Sequence, residues 1–549
     1  MASILQAHSA SSKSETGDLH VRREEKLREL KETLANAGED QLQQLVMVDA
    51  MQCLGVAYLF QNEIYAILEK QYNRSSAYNG DDDGNHQLLE ASLRFRLLRQ
   101  QGFPVTPDAE ACNKIKNNEK LKSGLIASDH EDIKGLVELC EASHLSFQGE
   151  EMLDEAGKLS RQLLTAWVSN NHNDHRVTLV ERTLEHPYHK SLTRFMAKKF
   201  LNNFQGQEKW VCSLQELANL EFNMVESIIK NEILLVSGWW KELGLTKELK
   251  FVRDQPIKWY IWPMACLVDP RLSEEMIELT KAVSLVYIID DIFDVRGTLD
   301  ELVLFTAAVV RWDTTTNDEL PNYMKTCFKA LNDITNNISQ SVYEKHGWNP
   351  IETLRESWIR LCKAFLVEAQ WFRHGELPNS GDYLKNGIIS SGVPALLTHA
   401  FFILGQGMTK ETIDLFNNIN LPSIVSSTAT ILRLWDDFGT AKDEDQNGFD
   451  GSYIECYMKE HKGSYVEEVQ AYVIQKISDE WKCLNQECFS ACNPFSEFFT
   501  QFALNISRMV PMMYDYNAHH CLPSLEENMK SLLSDSFLAK GSIYGKSMQ

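Results

Sequence analysis

Three aspartates close an apolar helical segment, and their spacing suits a metal site. The segment AVSLVYIIDDIFD runs from Ala282 to Asp294, so Asp290, Asp291 and Asp294 lie at its carboxyl end. The helix dipole disfavours each carboxylate there by about 0.3–1 kcal/mol, and a cation would relieve this. Asp290 and Asp294 are four residues apart and share a face. Hard divalent ions such as Mg²⁺ bind carboxylate oxygens together with substrate phosphates. The apolar residues before the aspartates favour a buried helix end over a solvated one.

The limits of this helix are also predicted from the sequence. Ser273, followed by Glu274 and Glu275, is typical of an N-cap with acids in the first turn. Gly297 is typical of a residue that stops a helix. The predicted helix therefore carries the aspartates in its last turn.

A second acidic stretch supports the metal interpretation. The segment Arg433–Glu444 reads RLWDDFGTAKDE. Asp436, Thr440 and Glu444 follow one another at intervals of four, which at about 100° per residue places three oxygen side chains on one stripe of a helix. A single stripe of this kind is usually solvated surface, whereas two in one chain, each after an apolar run, favour a metal site.

These residues resemble the motifs of the plant class I terpene synthases. Asp290–Asp294 matches the family's DDxxD motif, and Asp436–Glu444 matches its (N/D)Dxx(S/T)xxxE motif. Phe251–Trp262 resembles the segment in which the family carries RxR followed by an aromatic residue. The resemblance covers nearly the whole chain, with the three motifs in the family's order and spacing.

The resemblance implies a metal-dependent reaction of an allylic diphosphate. Three Mg²⁺ ions, or Mn²⁺ in their place, are expected on two helices, bound by Asp290 and Asp294 on one and by Asp436, Thr440 and Glu444 on the other. Through these ions Asp290, Asp294 and Asp436 also contact the substrate. Heterolysis of the diphosphate needs no protein nucleophile, only stabilisation of the departing charge.

Two arginines are expected at the diphosphate, where a planar guanidinium offers a forked donor to phosphate. Arg253 and Arg433 match these positions, and Arg433 is counted with Asp290 and Asp294 among the catalytic residues. Gln255, however, occupies the second position of RxR, so one positive charge is missing. Weaker binding of the departed diphosphate should disfavour the isomerisation that precedes cyclisation.

Aromatic residues are the candidates for the hydrocarbon pocket, because ring faces attract a cation by roughly 0.5–2 kcal/mol. Trp262 and Tyr514 match pocket positions of the family, whereas Trp259 is better explained as a core residue. At the positions where some cyclases carry an acid and a second tyrosine, this chain has His519 and Cys521. This departure also favours acyclic products.

The rest of the chain must position these residues, and its pattern predicts an all-α fold. A chain of 549 residues is too long for one hydrophobic core. The predicted parts are a flexible segment 1–21, an N-terminal α-barrel domain 22–235 and a C-terminal helical bundle 236–549 that binds the metal. The barrel is expected to be catalytically silent because the chain has no DxDD motif. Gly392 and Pro394 are predicted to break a long helix.

The amino-acid composition disfavours several classes of binding partner. A net charge of −23 argues against nucleic acid and anionic membranes, which both attract clustered Lys and Arg. It also means that an anionic diphosphate must meet metal ions or a local basic pocket. No apolar run of about 20 residues stands out as a membrane span, and the twelve cysteines are expected to be reduced. We expect a monomer in the cytoplasm, since the acids Glu15 and Asp18 disfavour a plastid transit peptide.

The sequence leaves several functions open. The favoured one is an enzyme that makes acyclic alcohols, linalool from geranyl diphosphate and nerolidol from farnesyl diphosphate. The family's RRx8W motif, whose absence accompanies acyclic products, is missing because no tryptophan precedes Trp167. The alternatives are a cyclising mono- or sesquiterpene synthase and a non-catalytic helical scaffold. A chain-elongating prenyltransferase is disfavoured because a second DDxxD motif is lacking.

Overall fold

The computed structural model describes residues 2–36, 40–75, 87–107, 130–174, 176–204, 206, 208–313, 319–440, 451–514 and 523–533. Within these ranges the regular structure is α-helix, with short 3₁₀ segments and one π turn, and no strand occurs. The predicted all-α fold with two helical domains is therefore confirmed.

The chain divides into two compact units, Met1–Ile228 with Phe489–Ala491, and Ile229–Cys488 with Cys492–Gln549. The division falls inside one long helix, Lys209–Leu243. The sequence analysis placed the domain boundary after residue 235, a few residues further along the same helix. The two positions differ because an unbroken helix contains no turn that would mark a boundary. The predicted domain bounds 22–235 and 236–549 stay predictions. So does the flexibility of segment 1–21, most of which lies in the first helix.

The described part of the N-terminal unit is built from helices. They are α1 (Ala2–Asn36), α2 (Gln41–Cys53), α3 (Gln61–Ser75), α4 (Gln87–Gln100), α5 (His130–Ser143), α6 (Glu151–Asn170), α7 (Val177–Glu185), α8 (Thr193–Asn203) and the first part of α9 (Lys209–Leu243). Apolar residues at helical spacing in α2, such as Leu45, Val48 and Met51, are fully buried in its core.

A buried ion cluster lies between α2, α4 and α5. The guanidinium of Arg96 is 3% exposed and lies 2.6 Å from a carboxylate oxygen of Asp49 and 3.0 Å from one of Glu138. Burial raises the pKa of Glu138, and the pair with Arg96 opposes this rise. The arginine therefore compensates two carboxylates that the fold has removed from water.

The C-terminal unit contains the remaining helices. They are α10 (Pro256–Cys266), α11 (Ser273–Asp291), α12 (Leu299–Arg311), α13 (Asn322–His346), α14 (Ile351–His374), α15 (Ser380–Ser390), α16 (Val393–Leu404), α17 (Lys410–Asn417), α18 (Ser423–Thr440), α19 (Tyr453–Glu460), α20 (Val466–Phe489), α21 (Glu497–Met513) and α22 (Pro523–Leu532).

Helix α11 is central to this unit and packs against α10, α13 and α16. It begins as predicted near Ser273, although Ser273 is its first helical residue and makes no cap. The first-turn acids Glu274 and Glu275 bind the ammonium group of Lys345 at 2.9 and 3.1 Å. Ile288 and Ile289, directly before the aspartates, are fully buried, whereas Asp290 is partly exposed and Asp294 is exposed. The helix is therefore buried up to the aspartates, and its acidic end is accessible.

A break between α15 and α16 occurs where the sequence predicts one. Helix α15 ends at Ser390, and α16 begins at Val393 after Gly392, whose φ of 74° is unfavourable for other residues. A β-carbon at this glycine would also lie 2.5 Å from Val286 on α11. Only glycine therefore lets the broken helix pack this closely against the helix of the first acidic motif.

The pair α15 and α16 is also the stretch in the described residues that is long and apolar enough to cross a membrane. Ser380–Leu404 has a mean hydropathy of 1.7, which the sequence analysis did not single out. The fold buries 78% of its apolar window, as expected for the core helix of a large domain.

Replacing Arg96 by leucine should strongly destabilise the N-terminal unit. Removing one partner of a buried ion pair costs about 3–5 kcal/mol, because the other charge stays buried without compensation. Arg94→Leu is the matched control on the same helix, since Arg94 pairs with Glu90 nearer the surface and such pairs contribute about 0–1 kcal/mol. Calorimetric melting should show a large shift for Arg96→Leu and a small one for Arg94→Leu, and equal shifts would contradict the role of the cluster.

Candidate active site

A cavity of about 440 Å³ lies within the C-terminal unit and is lined by acidic, basic and apolar side chains. Its volume is in the range of small-molecule sites. The walls come from the end of α11, from α10, α14 and α18, and from the break between α15 and α16. The charged residues that line it are Arg253, Lys258, Asp290, Asp294, Glu368, Arg373, Arg433, Asp436 and Asp437.

In the first acidic motif the two adjacent aspartates have different surroundings. Asp290 faces the cavity with 31% of its side chain exposed and forms an ion pair with Nη2 of Arg253. Asp291 is buried and accepts a hydrogen bond of 2.8 Å from the backbone N–H of Arg253, whose Nε lies 2.7 Å from its other oxygen. Arg253 is thus anchored on Asp291, and only the tip of its side chain contacts Asp290.

Asp294 lies in a π turn, Ile292–Arg296, that follows α11 directly. The sequence predicts an α-helix up to Gly297, and the change of period is a departure from it. The backbone N–H of Gly297 donates to the carbonyl of Ile292 at 2.8 Å, and the glycine has an extended conformation with φ −69°. Asp290 and Asp294 still line the same cavity. Single π turns of this kind occur frequently at functional sites.

The second acidic motif repeats this division between a partly exposed aspartate and a buried one. Asp436 lines the cavity, and burial raises its pKa to about 7, with Arg433 opposing the rise. Asp437 is buried and accepts hydrogen bonds from Nε of Arg433 and the hydroxyl of Tyr383, each at 2.9 Å, and from the backbone N–H of Tyr453 at 3.0 Å. Asp437 thus joins α18 to the start of α19.

Each motif therefore contains two adjacent aspartates, of which the first faces the cavity and the second fixes an arginine. Arg253 is held by Asp291, and Arg433 by Asp437, with its Nη2 also donating to Tyr383 at 2.6 Å. Both arginines line the cavity. The predicted residues Arg253, Asp290, Arg433 and Asp436 are thus brought together in the lining of one cavity.

The metal ligands predicted in the second motif extend beyond the described residues. Thr440 is the last residue of α18, but its side chain and the whole of Glu444 lie outside that part of the structure. In the described residues no group of three His, Cys, Asp or Glu side chains is arranged to hold one ion. Asp290, Asp294 and Asp436 nevertheless offer hard oxygen donors on two walls, a set that fits Mg²⁺ ions completed by phosphate oxygens and water.

The apolar lining of the cavity includes two of the predicted aromatic residues. Trp262 is buried and donates its indole N–H to the hydroxyl of Tyr287 at 3.1 Å, and Tyr514 also lines the cavity. Trp259 does not line it but packs edge-on against Trp240, with ring centroids 4.8 Å apart. Its interpretation as a core residue agrees with this position. The aliphatic lining residues are Val283, Val286, Val393, Leu396, Leu432 and Ile506.

Three charged residues of the cavity were missed by the sequence analysis. Lys258 lines it one turn into α10, Glu368 accepts a hydrogen bond of 2.6 Å from Ser390, and Arg373 donates to the carbonyl of Gly297 at 2.9 Å. Lys258 lies in the segment Phe251–Trp262 that the sequence analysis quoted, but no role was predicted for it, and Glu368 and Arg373 belong to no motif that was used. The one available signal is that Lys258 lies four residues before Trp262, on the same helix face.

Asp437→Asn should destabilise the protein, whereas Asp436→Asn should not. The first change leaves the buried Arg433 without its charged partner, a loss of about 3–5 kcal/mol. The second removes a carboxylate that burial already disfavours. Melting temperatures without magnesium should therefore fall for Asp437→Asn and stay equal or rise for Asp436→Asn.

With magnesium and diphosphate added, the stabilisation shown by the wild type should be smaller in Asp436→Asn. A fall in melting temperature for Asp436→Asn without the metal would contradict the division of roles between the two aspartates.

Models of two protein families match the chain. The model "Terpene synthase, N-terminal domain" matches residues 2–184, and the model "Terpene synthase family, metal binding domain" matches residues 241–483. The second match contains both acidic motifs and most of the residues that line the cavity.

Curated relatives are similar over most of the chain. "Probable terpene synthase 13" of Ricinus communis is 52% identical and covers 94% of this chain and 88% of its own. The (E)-nerolidol synthase of Cannabis sativa is 48% identical, with coverage of 89% and 88%. The chloroplastic S-(+)-linalool synthase of Arabidopsis thaliana is 45% identical, with coverage of 89% and 84%.

Solved structures share the whole fold. Limonene synthase with 2-fluorolinalyl diphosphate superimposes with a TM-score of 0.86 and 31% identity, covering 94% of each chain. Isoprene synthase from grey poplar, in complex with three Mg²⁺ ions and dimethylallyl-S-thiolodiphosphate, gives a TM-score of 0.84 and 32% identity, covering 94% of this chain and 97% of that one.

Proposed function

Because the chain belongs to the terpene synthase family, we propose that it converts geranyl diphosphate to linalool and farnesyl diphosphate to nerolidol. The observation that carries the proposal is the cavity itself, whose lining combines aromatic and aliphatic side chains with carboxylates and arginines that pair with one another. The charged groups suit a diphosphate, and the apolar groups suit an isoprenoid chain. The relatives described as nerolidol and linalool synthases support the acyclic alcohols.

Different residues of the cavity would have different roles in the ionisation of the substrate. Asp290, Asp294 and Asp436 would hold Mg²⁺ ions, which when bound neutralise the diphosphate and assist its departure. Arg433 is fixed by Asp437 and presents its charge to the cavity. Ring faces such as that of Trp262 stabilise the allylic cation electrostatically.

Water would then form a bond to the tertiary carbon of the cation, and loss of its proton to the released diphosphate or to solvent would give the alcohol. The support for this outcome is the glutamine at position 255, which removes one donor that would return the diphosphate to another carbon. Early capture leaves the chain no time to fold into a ring. The predicted monomeric state and the cytoplasmic location stay predictions.

Two alternative functions are a cyclising synthase and a non-catalytic scaffold. A cyclising synthase is favoured by the likeness to limonene synthase, which covers the whole fold. A non-catalytic scaffold is disfavoured, because Asp290, Asp294 and Asp436 are all present and line one cavity.

The decisive experiment is product analysis. The purified protein with Mg²⁺ should release mainly linalool from geranyl diphosphate and mainly nerolidol from farnesyl diphosphate, as identified by chiral gas chromatography. Cyclic hydrocarbons as the main products of both substrates would establish the cyclising alternative. The absence of any product, with a folded protein and both substrates, would favour the scaffold.

Asp290→Ala should abolish turnover and leave the fold intact. The substitution removes a predicted metal ligand, while Arg253 keeps its partner Asp291. The melting temperature without magnesium should therefore stay close to that of the wild type, and product formation should fall at least a hundredfold. Glu278→Ala, a partly exposed position on the same helix, is the matched control and should leave turnover unchanged. Near-wild-type turnover by Asp290→Ala would refute the metal assignment.

A further inference from the structure

The hydroxyl group of Tyr287 is a polar group in the lining of the cavity, and its hydrogen-bond donor is not used. Tyr287 lies on α11, three residues before Asp290, and is partly buried. Its hydroxyl oxygen accepts a hydrogen bond of 3.1 Å from the indole N–H of Trp262. Within the part of the chain that the structure describes, the hydroxyl hydrogen itself has no acceptor. An O–H donor is therefore available to a ligand of the cavity.

The hydroxyl groups at the helix break differ from that of Tyr287, because each of them donates within the protein. Ser390 donates to a carboxylate oxygen of Glu368 at 2.6 Å, and Ser391 donates to the carbonyl of Ile388 at 2.8 Å. Both serines line the cavity. Their hydroxyl hydrogens already have acceptors, whereas that of Tyr287 does not.

The contacts of Tyr287 place it between a charged and an aromatic residue of the lining. The centroid of its ring lies 4.8 Å from the guanidinium carbon of Arg253, and its hydroxyl group contacts Trp262. Both neighbours line the cavity. In an allylic diphosphate the tertiary carbon is two bonds from the carbon that loses the diphosphate. A water molecule that attacks the tertiary carbon must therefore lie near both kinds of group.

The indole of Trp262 determines how the hydroxyl group can bind a ligand. Its N–H occupies an acceptor position on the phenol oxygen, so the bond that remains favoured is the one in which the hydroxyl group donates. Such a donor binds a water molecule through one lone pair of the water oxygen. The other lone pair is then left to form a bond.

We propose that Tyr287 holds the water molecule that captures the allylic cation. The inference deepens the proposed function and rests on it, because it assumes capture by water. After the carbon–oxygen bond to the diphosphate has broken, the free lone pair of the water forms the bond to the tertiary carbon. The resulting oxonium loses a proton to the released diphosphate or to solvent, and Tyr287 neither gains nor loses one. Without the held water, the cation would instead lose a proton from a neighbouring carbon and give a hydrocarbon.

Tyr287→Phe tests the hydroxyl group alone, because phenylalanine keeps the ring that contacts Arg253. With geranyl diphosphate and Mg²⁺, the ratio of linalool to hydrocarbons in gas chromatography should fall about fivefold, the effect of one hydrogen bond. The rate of diphosphate release should stay within about twofold of the wild type, which is less than the effect of one hydrogen bond. Tyr323→Phe is the matched control, because Tyr323 donates to Glu301 at 3.2 Å and does not line the cavity. Its product ratio should equal that of the wild type.

An unchanged product ratio in Tyr287→Phe would overturn the proposal, and so would an equal fall in Tyr323→Phe. The substitution also leaves the N–H of Trp262 without its acceptor, which costs stability. Should melting temperatures show that Tyr287→Phe does not fold, the double variant Trp262→Phe/Tyr287→Phe removes donor and acceptor together. The same fall in the product ratio is expected of it, and an unchanged ratio would contradict the proposal equally.

Crystal structures with Mg²⁺ and inorganic diphosphate separate this inference from the proposed function. The wild type should contain an ordered water oxygen about 2.8 Å from the hydroxyl oxygen of Tyr287, and Tyr287→Phe should lack it. If the wild type contains this water but forms mainly cyclic hydrocarbons, the proposed function fails and Tyr287 remains a water-binding residue. If the wild type forms the alcohols but no water lies at Tyr287, the proposal fails and the proposed function stands.

Discussion

The ion pairs between an arginine and the second aspartate of each acidic motif are the constraint on which the cavity depends. Asp291 holds Arg253 and Asp437 holds Arg433, and all four side chains are buried or partly buried. A buried carboxylate without a partner is costly, and so is a buried guanidinium. Each pair therefore fixes the place of its helix, and it does so directly beside the aspartate that faces the cavity. The cavity-facing aspartates, which are expected to bind metal ions, are thus directly adjacent in the chain to aspartates whose ion pairs are fixed.

Irregular backbone also shapes the cavity, in addition to these two ion pairs. The π turn after α11 carries Asp294, and the break at Gly392 separates α15 from α16. Both depart from the regular helix, and both lie against the cavity. A regular helix satisfies its own backbone and offers only side chains to a ligand, whereas a break exposes carbonyl groups and changes the direction of the chain. The apolar core around α11 supplies the packing that keeps these irregular segments in place.

The sequence predicted the fold class, the break near Gly392 and the convergence of Asp290, Asp294, Arg253, Arg433 and Asp436 on one cavity. The helices, the break and the two acidic stretches follow from local patterns, namely apolar periodicity, glycine and proline, and the fixed spacing of acids. The roles of Arg253 and Arg433 and the meeting of the two motifs were implied by the resemblance to the terpene synthases. It did not predict the π turn, since a change from one helical period to another leaves no distinctive local signal. It also missed Lys258 and Glu368, because the cavity wall is assembled from helices far apart in the chain, and a charged residue on a helix usually faces solvent.

Local charge resolves the conflict between the acidity of the whole protein and an anionic substrate. A net charge of −23 repels a diphosphate at long range. At the cavity, however, Arg253, Lys258, Arg373 and Arg433 all belong to the lining, and a low-dielectric cleft concentrates their field. The carboxylates of the two motifs require cations in the same place. Within the described residues, a diphosphate would therefore be attracted to the cavity once the arginines, the lysine and bound metal ions together outweigh the acids.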